Sequence, residues 1–252
     1  MSILLFLIVS IAPRDAAATQ LTFNLYALGF PVAESSMIVD LAPSGYHMGL
    51  RYHTIGLARV FDGDKLDQSS NGTFEHEQLV PLEFRSFVRL HSQDRVVVLD
   101  YRNGNPIVAS ISPANDAERE TVPMARREHT FDPLSAMMDM LHLAAQTGHC
   151  DLSHYTYDGR RLELFEARTV GEEDVAPTSR SIFSGRGLRC DYSSQTVAGF
   201  RLGDGRDEDA RPRKGTVWLA QVVPGGPRLP VRGLVDVRFL GAATMYLTAV
   251  TP

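Results

Sequence analysis

The feature that most constrains this sequence is a period-two alternation of apolar and polar residues, which recurs along most of its length. In residues 21–28 (LTFNLYAL) the alternation is typical of a strand with one buried face. Similar patterns predict strands at 32–41, 45–54, 84–91, 95–101, 105–111, 154–157, 160–169, 216–223, 228–239 and 243–250. Because such segments recur every 8–12 residues with turn residues between them, we predict a mainly β, antiparallel protein.

Turn chemistry between these segments supports hairpins. Asn103-Gly104 and Asp158-Gly159 each place two residues that tolerate positive φ between predicted strands. Pro43-Ser44-Gly45 and the run 224–227 (PGGP) mark further turns. Two polar stretches, 112–130 and 203–215, are expected to be flexible, solvated loops, with 112–130 as a hinge if the chain has two lobes.

One segment breaks the β pattern and predicts a helix at about 132–147. Asp132 is a good N-cap, Pro133 suits the first helical position and Gly148 suits the end of the helix. We therefore expect a strongly curved antiparallel sheet or open barrel with this helix packed on its concave face or mouth. The apolar face of the helix is our candidate ligand-binding surface, and simple packing against the sheet is the alternative. Its residues are Leu134, Met137, Met138 and Leu141.

The N-terminus has the pattern of a secretory signal peptide. Residues 3–12 are apolar but too few to span a bilayer, and Ala16, Ala17 and Ala18 provide a small-residue cleavage pattern. A basic residue ahead of the apolar run is missing. We expect residues 1–18 to be removed and 19–252 to form a single β-rich domain in the periplasm. We expect no transmembrane segment in that mature chain.

Cysteine usage agrees with export. Cys150 and Cys190 are the only two cysteines, and an even count in an exported protein favours a disulfide over two separate buried thiols. Their distance in sequence is unlike that of a C-x-x-C redox motif.

Composition and motifs exclude several functions. The net charge is −5 and no dense Lys/Arg cluster is present, so we expect no nucleic-acid partner. Neither G-x-S-x-G nor a P-loop pattern occurs. We assign no catalytic residue, no metal and no cofactor, and we expect a protein without enzymatic activity.

Three groups of polar residues are weaker candidates for a functional site. A zinc site needs converging nitrogen and sulfur ligands, a calcium site needs acidic loops, and a hydrolase needs titratable groups in a cleft. The corresponding residues are His142, His149, Cys150 and His154 for zinc; Asp62, Asp64, Asp67, Asp204, Asp207 and Asp209 for calcium; and His47, His53 and Glu75 for a hydrolase.

Several short motifs occur in an order that resembles an exported bacterial family, the domain of unknown function 3108. The motifs are Tyr26 with Gly29, Tyr46, Pro81–Phe84, Asp132–Ser135, Tyr157–Arg161, Val197–Phe200 and Pro230–Arg232. The resemblance implies an envelope location and a β-rich fold with a helix, and the paired cysteines look like those of its cystine-containing members. It implies no activity and no catalytic residues.

These expectations lead to one functional hypothesis and two alternatives. We expect a periplasmic binding or scaffold protein for a lipid or another apolar or amphipathic ligand, which requires an apolar cavity. The first alternative is a structural or assembly protein that binds an envelope protein partner through an exposed sheet edge. The second is an envelope hydrolase, which requires a cleft lined with titratable groups.

Overall fold

A computed structural model describes residues 18–56, 64–90, 92–115, 118–237 and 241–252. The predicted signal peptide lies outside these residues except for Ala18, as does Asp62 of the calcium candidates. The thirteen strands are β1 (Thr19–Ala27), β2 (Phe30–Ala42), β3 (Gly45–Thr54), β4 (Lys65–Glu75), β5 (Gln78–Leu90), β6 (Gln93–Arg102), β7 (Asn105–Ser112), β8 (Leu152–Tyr157), β9 (Leu162–Val175), β10 (Gly185–Ala198), β11 (Arg213–Gln221), β12 (Arg228–Val237) and β13 (Gly241–Thr251). The helices are α1 (Pro133–Thr147) and the short α2 (Arg206–Asp209), with single 3-10 turns at Met124–Arg126 and Gly203–Gly205.

All thirteen strands form one antiparallel sheet that curls into a nearly closed barrel. The strand order is β7-β6-β5-β4-β3-β2-β1-β13-β12-β11-β10-β9-β8. The first seven strands and the last six each form a meander, and the β1–β13 pair joins the two. Strands β7 and β8 follow each other in sequence but form the two edges, and α1 lies in the segment that connects them. The predicted fold class is confirmed.

Alternating side chains of each strand build the core, as the period-two pattern predicts. In β1 the alternate residues Leu21 and Phe23 are fully buried, and in β2 Met37 and Val39 are almost fully buried. These inward side chains and those of α1 form one apolar core.

Two strands that the sequence did not predict, β4 and β10, carry polar residues where the alternation requires apolar ones. In β4 the buried positions are Ser70 and Gly72, and in β10 the run Tyr192–Gln195 is half-buried and mostly polar. Pattern reasoning fails there because hydrogen bonds, rather than apolar contacts, satisfy part of the inner surface.

The helix α1 lies inside the barrel. It contacts β3, β4 and β5 on one wall and β8 and β12 on the other. Leu134, Met138 and Leu141 are fully buried, and Met137 is partly buried. The helix ends at Gly148, which has a φ of +73°. In the part of the chain that the structure describes, no helix is long and apolar enough to cross a membrane.

A buried polar network fixes the start of α1 to the sheet. The Asp132 carboxylate accepts hydrogen bonds from the backbone N–H groups of Leu134 (3.0 Å) and Ser135 (2.9 Å), as an N-cap does. It also accepts from the hydroxyl groups of Ser70 in β4 (3.0 Å) and of Ser135. The Ser135 hydroxyl in turn contacts the Tyr46 hydroxyl of β3 at 2.5 Å. Burial raises the pKa of Asp132 to about 6, although these hydrogen bonds oppose the rise.

The two cysteines form the predicted disulfide. Cys150 precedes the edge strand β8, and Cys190 lies in β10, two strands further into the sheet. Both side chains are fully buried. The cystine therefore ties the edge of the barrel to its interior strands.

Removal of the disulfide should lower stability strongly. The cysteines are 40 positions apart, and a loop of this size is associated with about 4 kcal/mol of stabilisation. We expect Cys150→Ala/Cys190→Ala to unfold at a much lower urea concentration than the oxidised protein. Reductant should lower the midpoint of the wild type and leave that of the double variant unchanged. Equal midpoints for the oxidised wild type and the variant would contradict a stabilising role.

The raised pKa of Asp132 predicts a pH-dependent contribution to stability. The folded protein keeps a proton on this carboxyl up to about pH 6, whereas the unfolded chain releases it near the ordinary pKa of 3.8. The contribution is therefore complete below pH 3.8 and is lost as the pH rises through 6. Asp132→Asn keeps a capping side chain and serves as the reference. When the pH is lowered from 7.5 to 5, the free energy of unfolding of the wild type should rise by about 1 kcal/mol relative to that of this variant. Urea titrations of both proteins at the two pH values measure this difference, and a constant difference would refute the shift.

Candidate functional site

A cavity of about 750 Å³ lies in the barrel interior beyond the helix. The helix packs against the second half of β4, where Ser70 bonds to Asp132 and Phe74 stacks on His142 with ring centroids 4.5 Å apart. The cavity instead reaches the first half of β4, at Leu66 and Gln68. The helix therefore occupies one end of the barrel and leaves the other end unfilled.

The cavity has two chemically different walls. One, which we call the apolar wall, comes from consecutive strands β4, β5 and β6 and consists of Leu66, Val88, Leu90 and Val97. The other, which we call the arginine wall, consists of Arg95, Arg119, Arg160, Arg161 and Arg201. Among the lining residues these five arginines are accompanied by two carboxylates, those of Glu118 and Asp158. Just outside the lining, Asp209 pairs with Arg119 and Arg201, and Glu163 pairs with Arg161. The lining residues alone carry an excess of positive charge, although the net charge of the chain is −5.

The turn at 157–161 holds two arginines in this wall. The Asp158 carboxylate accepts hydrogen bonds from the backbone N–H groups of Arg160 and Arg161, each at 2.9 Å. The Tyr157 hydroxyl donates to the carbonyl of Gly159 at 2.9 Å. Gly159 has a φ of +89°, and a Cβ atom there would lie 2.4 Å from Cγ1 of Val97. Only glycine lets the turn lie this close to β6.

Arg160 is the least exposed of the five arginines: 9 % of its side chain is accessible, against 14–37 % for the other four. Its Nη2 donates to the carbonyl oxygens of Ser112 (2.8 Å) and Pro113 (3.0 Å), where β7 ends. Its Nη1 is buried, makes no hydrogen bond and lies 3.9 Å from Oε2 of Glu118. Burial lowers the pKa of Arg160; the charges of Glu118 and Asp158 oppose this effect, and those of Arg95 and Arg119 add to it.

Asp209 holds the other side of the arginine wall. Its carboxylate accepts from Arg119 at 2.9 Å and from the backbone N–H and Nε of Arg201 at 3.0 and 2.9 Å. Burial alone would raise the pKa of Asp209, but the hydrogen bonds from Arg201 and the charge of Arg119 outweigh it and the pKa is lowered. The Asp209 side chain is almost fully buried, so this part of the 203–215 segment is not the solvated loop that we expected.

The 112–130 segment also differs from the expected flexible loop. Val122 is buried in the core, and the carboxylate of Glu118 forms two hydrogen bonds with Arg95 in β6, at 2.9 and 3.3 Å. Arg119 donates to the carbonyl of Gly199 at 2.9 Å. The 112–130 segment therefore supplies side chains to the cavity, and the 203–215 segment supplies Asp209, which binds two of the lining arginines.

The ligand-binding residues predicted from the sequence lie elsewhere. Leu134, Met138 and Leu141 pack in the closed core around α1, and none of the four predicted residues lines this cavity. Their role in ligand binding stays a prediction. The sequence analysis missed the arginine wall, although two motifs of the family resemblance, Tyr157–Arg161 and Val197–Phe200, meet there. A Cβ at Gly199 would lie 2.5 Å from the Arg160 carbonyl oxygen.

The weaker candidate sites are dispersed. Cys150 is in the disulfide, and Nε2 of His154 lies 2.7 Å from the Asp139 carboxylate. Within the described ranges no three His, Cys, Asp or Glu side chains are grouped as a metal site requires. His47, His53 and Glu75 are exposed, and Nε2 of His53 lies 3.4 Å from the Glu34 carboxylate. The hydrolase candidates therefore lie on the outer surface of the barrel.

Comparisons with known proteins identify the family. A family model described as "Protein of unknown function (DUF3108)" matches residues 21–248. The chain belongs to the DUF3108 family. No curated protein matches it significantly. A solved structure from Brucella abortus, titled as a beta-barrel-like protein of the domain of unknown function DUF1849, is similar with a TM-score of 0.55 and 11 % identity. The match covers 92 % of this chain and 96 % of that one, and it shows that DUF3108 and DUF1849 proteins share this fold.

The close contact between the 157–161 turn and β6 predicts a specific coupling. Gly159→Ala should destabilise the protein by about 1–3 kcal/mol because its Cβ would overlap Val97. In a Val97→Ala background the overlap is removed, so the cost of Gly159→Ala should fall by about 1 kcal/mol. Urea unfolding of the two single variants and the double variant measures this coupling.

Gly199→Ala is the matched control for this pair. Its Cβ would meet the backbone of Arg160 and Arg161, which Val97→Ala does not remove. Its cost should therefore be the same in both backgrounds. If the losses of unfolding free energy caused by Gly159→Ala and Val97→Ala simply add, the turn does not pack closely against β6.

Proposed function

We propose that this protein binds an amphipathic ligand in the cavity between the apolar wall and the arginine wall. The ligand's hydrocarbon part would contact Leu66, Val88 and Val97, and its polar part would face the arginines. The protein would act by binding, as a carrier or scaffold, without catalysing a reaction.

The observation that carries this proposal is the pairing of the two walls around one space. A volume of about 750 Å³ lies within the range of small-molecule sites, which is about 300–1,000 Å³. Such sites combine an apolar surface with a few fixed polar groups, and this cavity has both. Filling the same space with apolar side chains would avoid the cost of burying charge, so the partly buried arginines favour a binding role.

The proposed location is the periplasm. A structural disulfide is typical of oxidising compartments and is compatible with export. The N-terminal sequence pattern supports the same location. An envelope lipid or another envelope amphiphile is therefore the proposed source of the ligand.

The open edge of the barrel supports a second candidate, binding of an envelope protein partner. The edge of β8 is partly covered, because Phe131 exchanges backbone hydrogen bonds with Tyr155 (3.0 Å) and Tyr157 (2.7 Å). Within the described residues β7 pairs along its length only with β6, and Ile107 in it is 41 % exposed. An exposed edge of this kind can accept a strand from another protein.

A cavity-filling variant tests the amphiphile proposal. Val88→Phe places extra volume in the cavity, whereas Val96→Phe places it on the outward face of β6. We expect Val88→Phe to weaken binding of a long-chain amphiphile by about tenfold or more, and Val96→Phe to leave it unchanged. Native mass spectrometry of protein purified from the periplasm, with lipid analysis of the extract, measures the bound ligand.

Equal binding by both variants would place the ligand outside this cavity. Wild-type protein that carries no amphiphile and takes up none in titration would refute the proposal. In that case, the β7 edge becomes the stronger candidate, and a variant with Ile107→Lys would test it by loss of a co-purified partner.

A further inference from the structure

We propose that the arginine wall is an oxyanion site in which Arg160 binds a phosphate group of the ligand. This inference rests on the proposed function and names the headgroup chemistry of the amphiphile. The starting observation is a buried donor. Only 7 % of the surface of Arg160 is exposed, and its Nη1 makes no hydrogen bond. A buried donor without an acceptor is costly, and a ligand oxygen would satisfy it.

The guanidinium group of Arg160 is held in place before any ligand binds. Its Nη2 is fixed by the carbonyls of Ser112 and Pro113, and its backbone N–H is fixed by Asp158. The Arg160 carbonyl also accepts from the Asn115 side chain at 3.2 Å. Such preorganisation reduces the conformational entropy that a ligand must overcome.

The charges around Arg160 favour an anion. Glu118 and Asp158 attract the Arg160 guanidinium, and Arg95 and Arg119 repel it. Both carboxylates already have another arginine as partner: Glu118 binds Arg95 and Asp158 binds Arg161. Glu118 reaches Arg160 only at 3.9 Å. An oxyanion would relieve this repulsion. Several guanidinium groups that converge from different segments match the several acceptor oxygens of a phosphate better than the two of a carboxylate.

The position of Arg160 also agrees with an amphiphile. Its neighbour Gly159 lies against Val97, so the arginine is located where the arginine wall meets the apolar wall. A phosphate bound there would leave the rest of the molecule beside Val97 and Val88. The site therefore fits a phosphate that carries a hydrocarbon chain.

Two amphiphiles with the same acyl chain test this inference. Lysophosphatidic acid carries the phosphate, and the matching monoacylglycerol lacks it. We expect wild-type protein to bind the phosphate form about tenfold or more tightly at low salt, since hydrogen bonds to charged groups are strong, and the preference should shrink as salt is added. Isothermal titration of both compounds measures the ratio of the two dissociation constants.

Substitutions at Arg160 test whether this residue causes the preference for the phosphate form. Arg160→Gln should reduce the ratio to near one, because it weakens binding of lysophosphatidic acid far more than that of monoacylglycerol, and Arg160→Lys should retain part of the ratio. Arg186→Gln, whose side chain is exposed on β10, should behave as wild type. If Arg160→Gln fails to fold by circular dichroism, Arg95→Gln replaces it, because Arg95 lines the same wall and should also lower the ratio.

The outcomes separate this inference from the proposed function. Equal affinities in the wild type, or a ratio that Arg160→Gln leaves unchanged, would overturn the phosphate site while amphiphile binding stands. Binding of neither compound would overturn both. If inorganic phosphate alone displaces lysophosphatidic acid with comparable affinity, the site takes free phosphate and the hydrocarbon part of the inference is wrong.

Discussion

The fold depends on one buried carboxylate, that of Asp132. A helix inside a barrel brings unpaired N–H groups at its first turn into a region without water, and these need acceptors. Asp132 supplies them for Leu134 and Ser135 and at the same time accepts the Ser70 hydroxyl from the barrel wall. One side chain thus starts the helix and fixes its depth. Because α1 begins there, the opposite end of the barrel is left unfilled.

The cavity at that end lies near the place where the barrel does not close through strand pairing. Strands β7 and β8 are joined near the cavity by Arg160, which follows β8 and bonds to the carbonyls at the end of β7. Arginine is suited to this position because its planar group can bind two carbonyls and still present a free donor. The same residue therefore connects the two edges of the sheet and faces the interior.

Much of the fold can be predicted from the sequence, because its strands and its helix are determined largely by residues that are close together in the chain. Alternation in β1 and the capping residues Asp132, Pro133 and Gly148 depend only on neighbouring positions, so the strand and the helix can be predicted from them. The strands β4 and β10 escape prediction because their inward positions include Ser70 and the polar run after Tyr192. The burial of Ser70 is explained by the hydrogen bond that its hydroxyl donates to Asp132, which is distant in sequence.

The arginine wall is not readable in the same way, because its members come from separate parts of the chain. Arg95 lies on β6, Arg119 in the connection that contains α1, Arg160 in the β8–β9 turn and Arg201 after β10. Only closure of the sheet brings these segments together. The charge balance of the whole chain, which is negative, does not reveal this group of arginines. Net charge therefore says nothing about what a barrel of this size encloses, and a negatively charged ligand is compatible with an acidic protein.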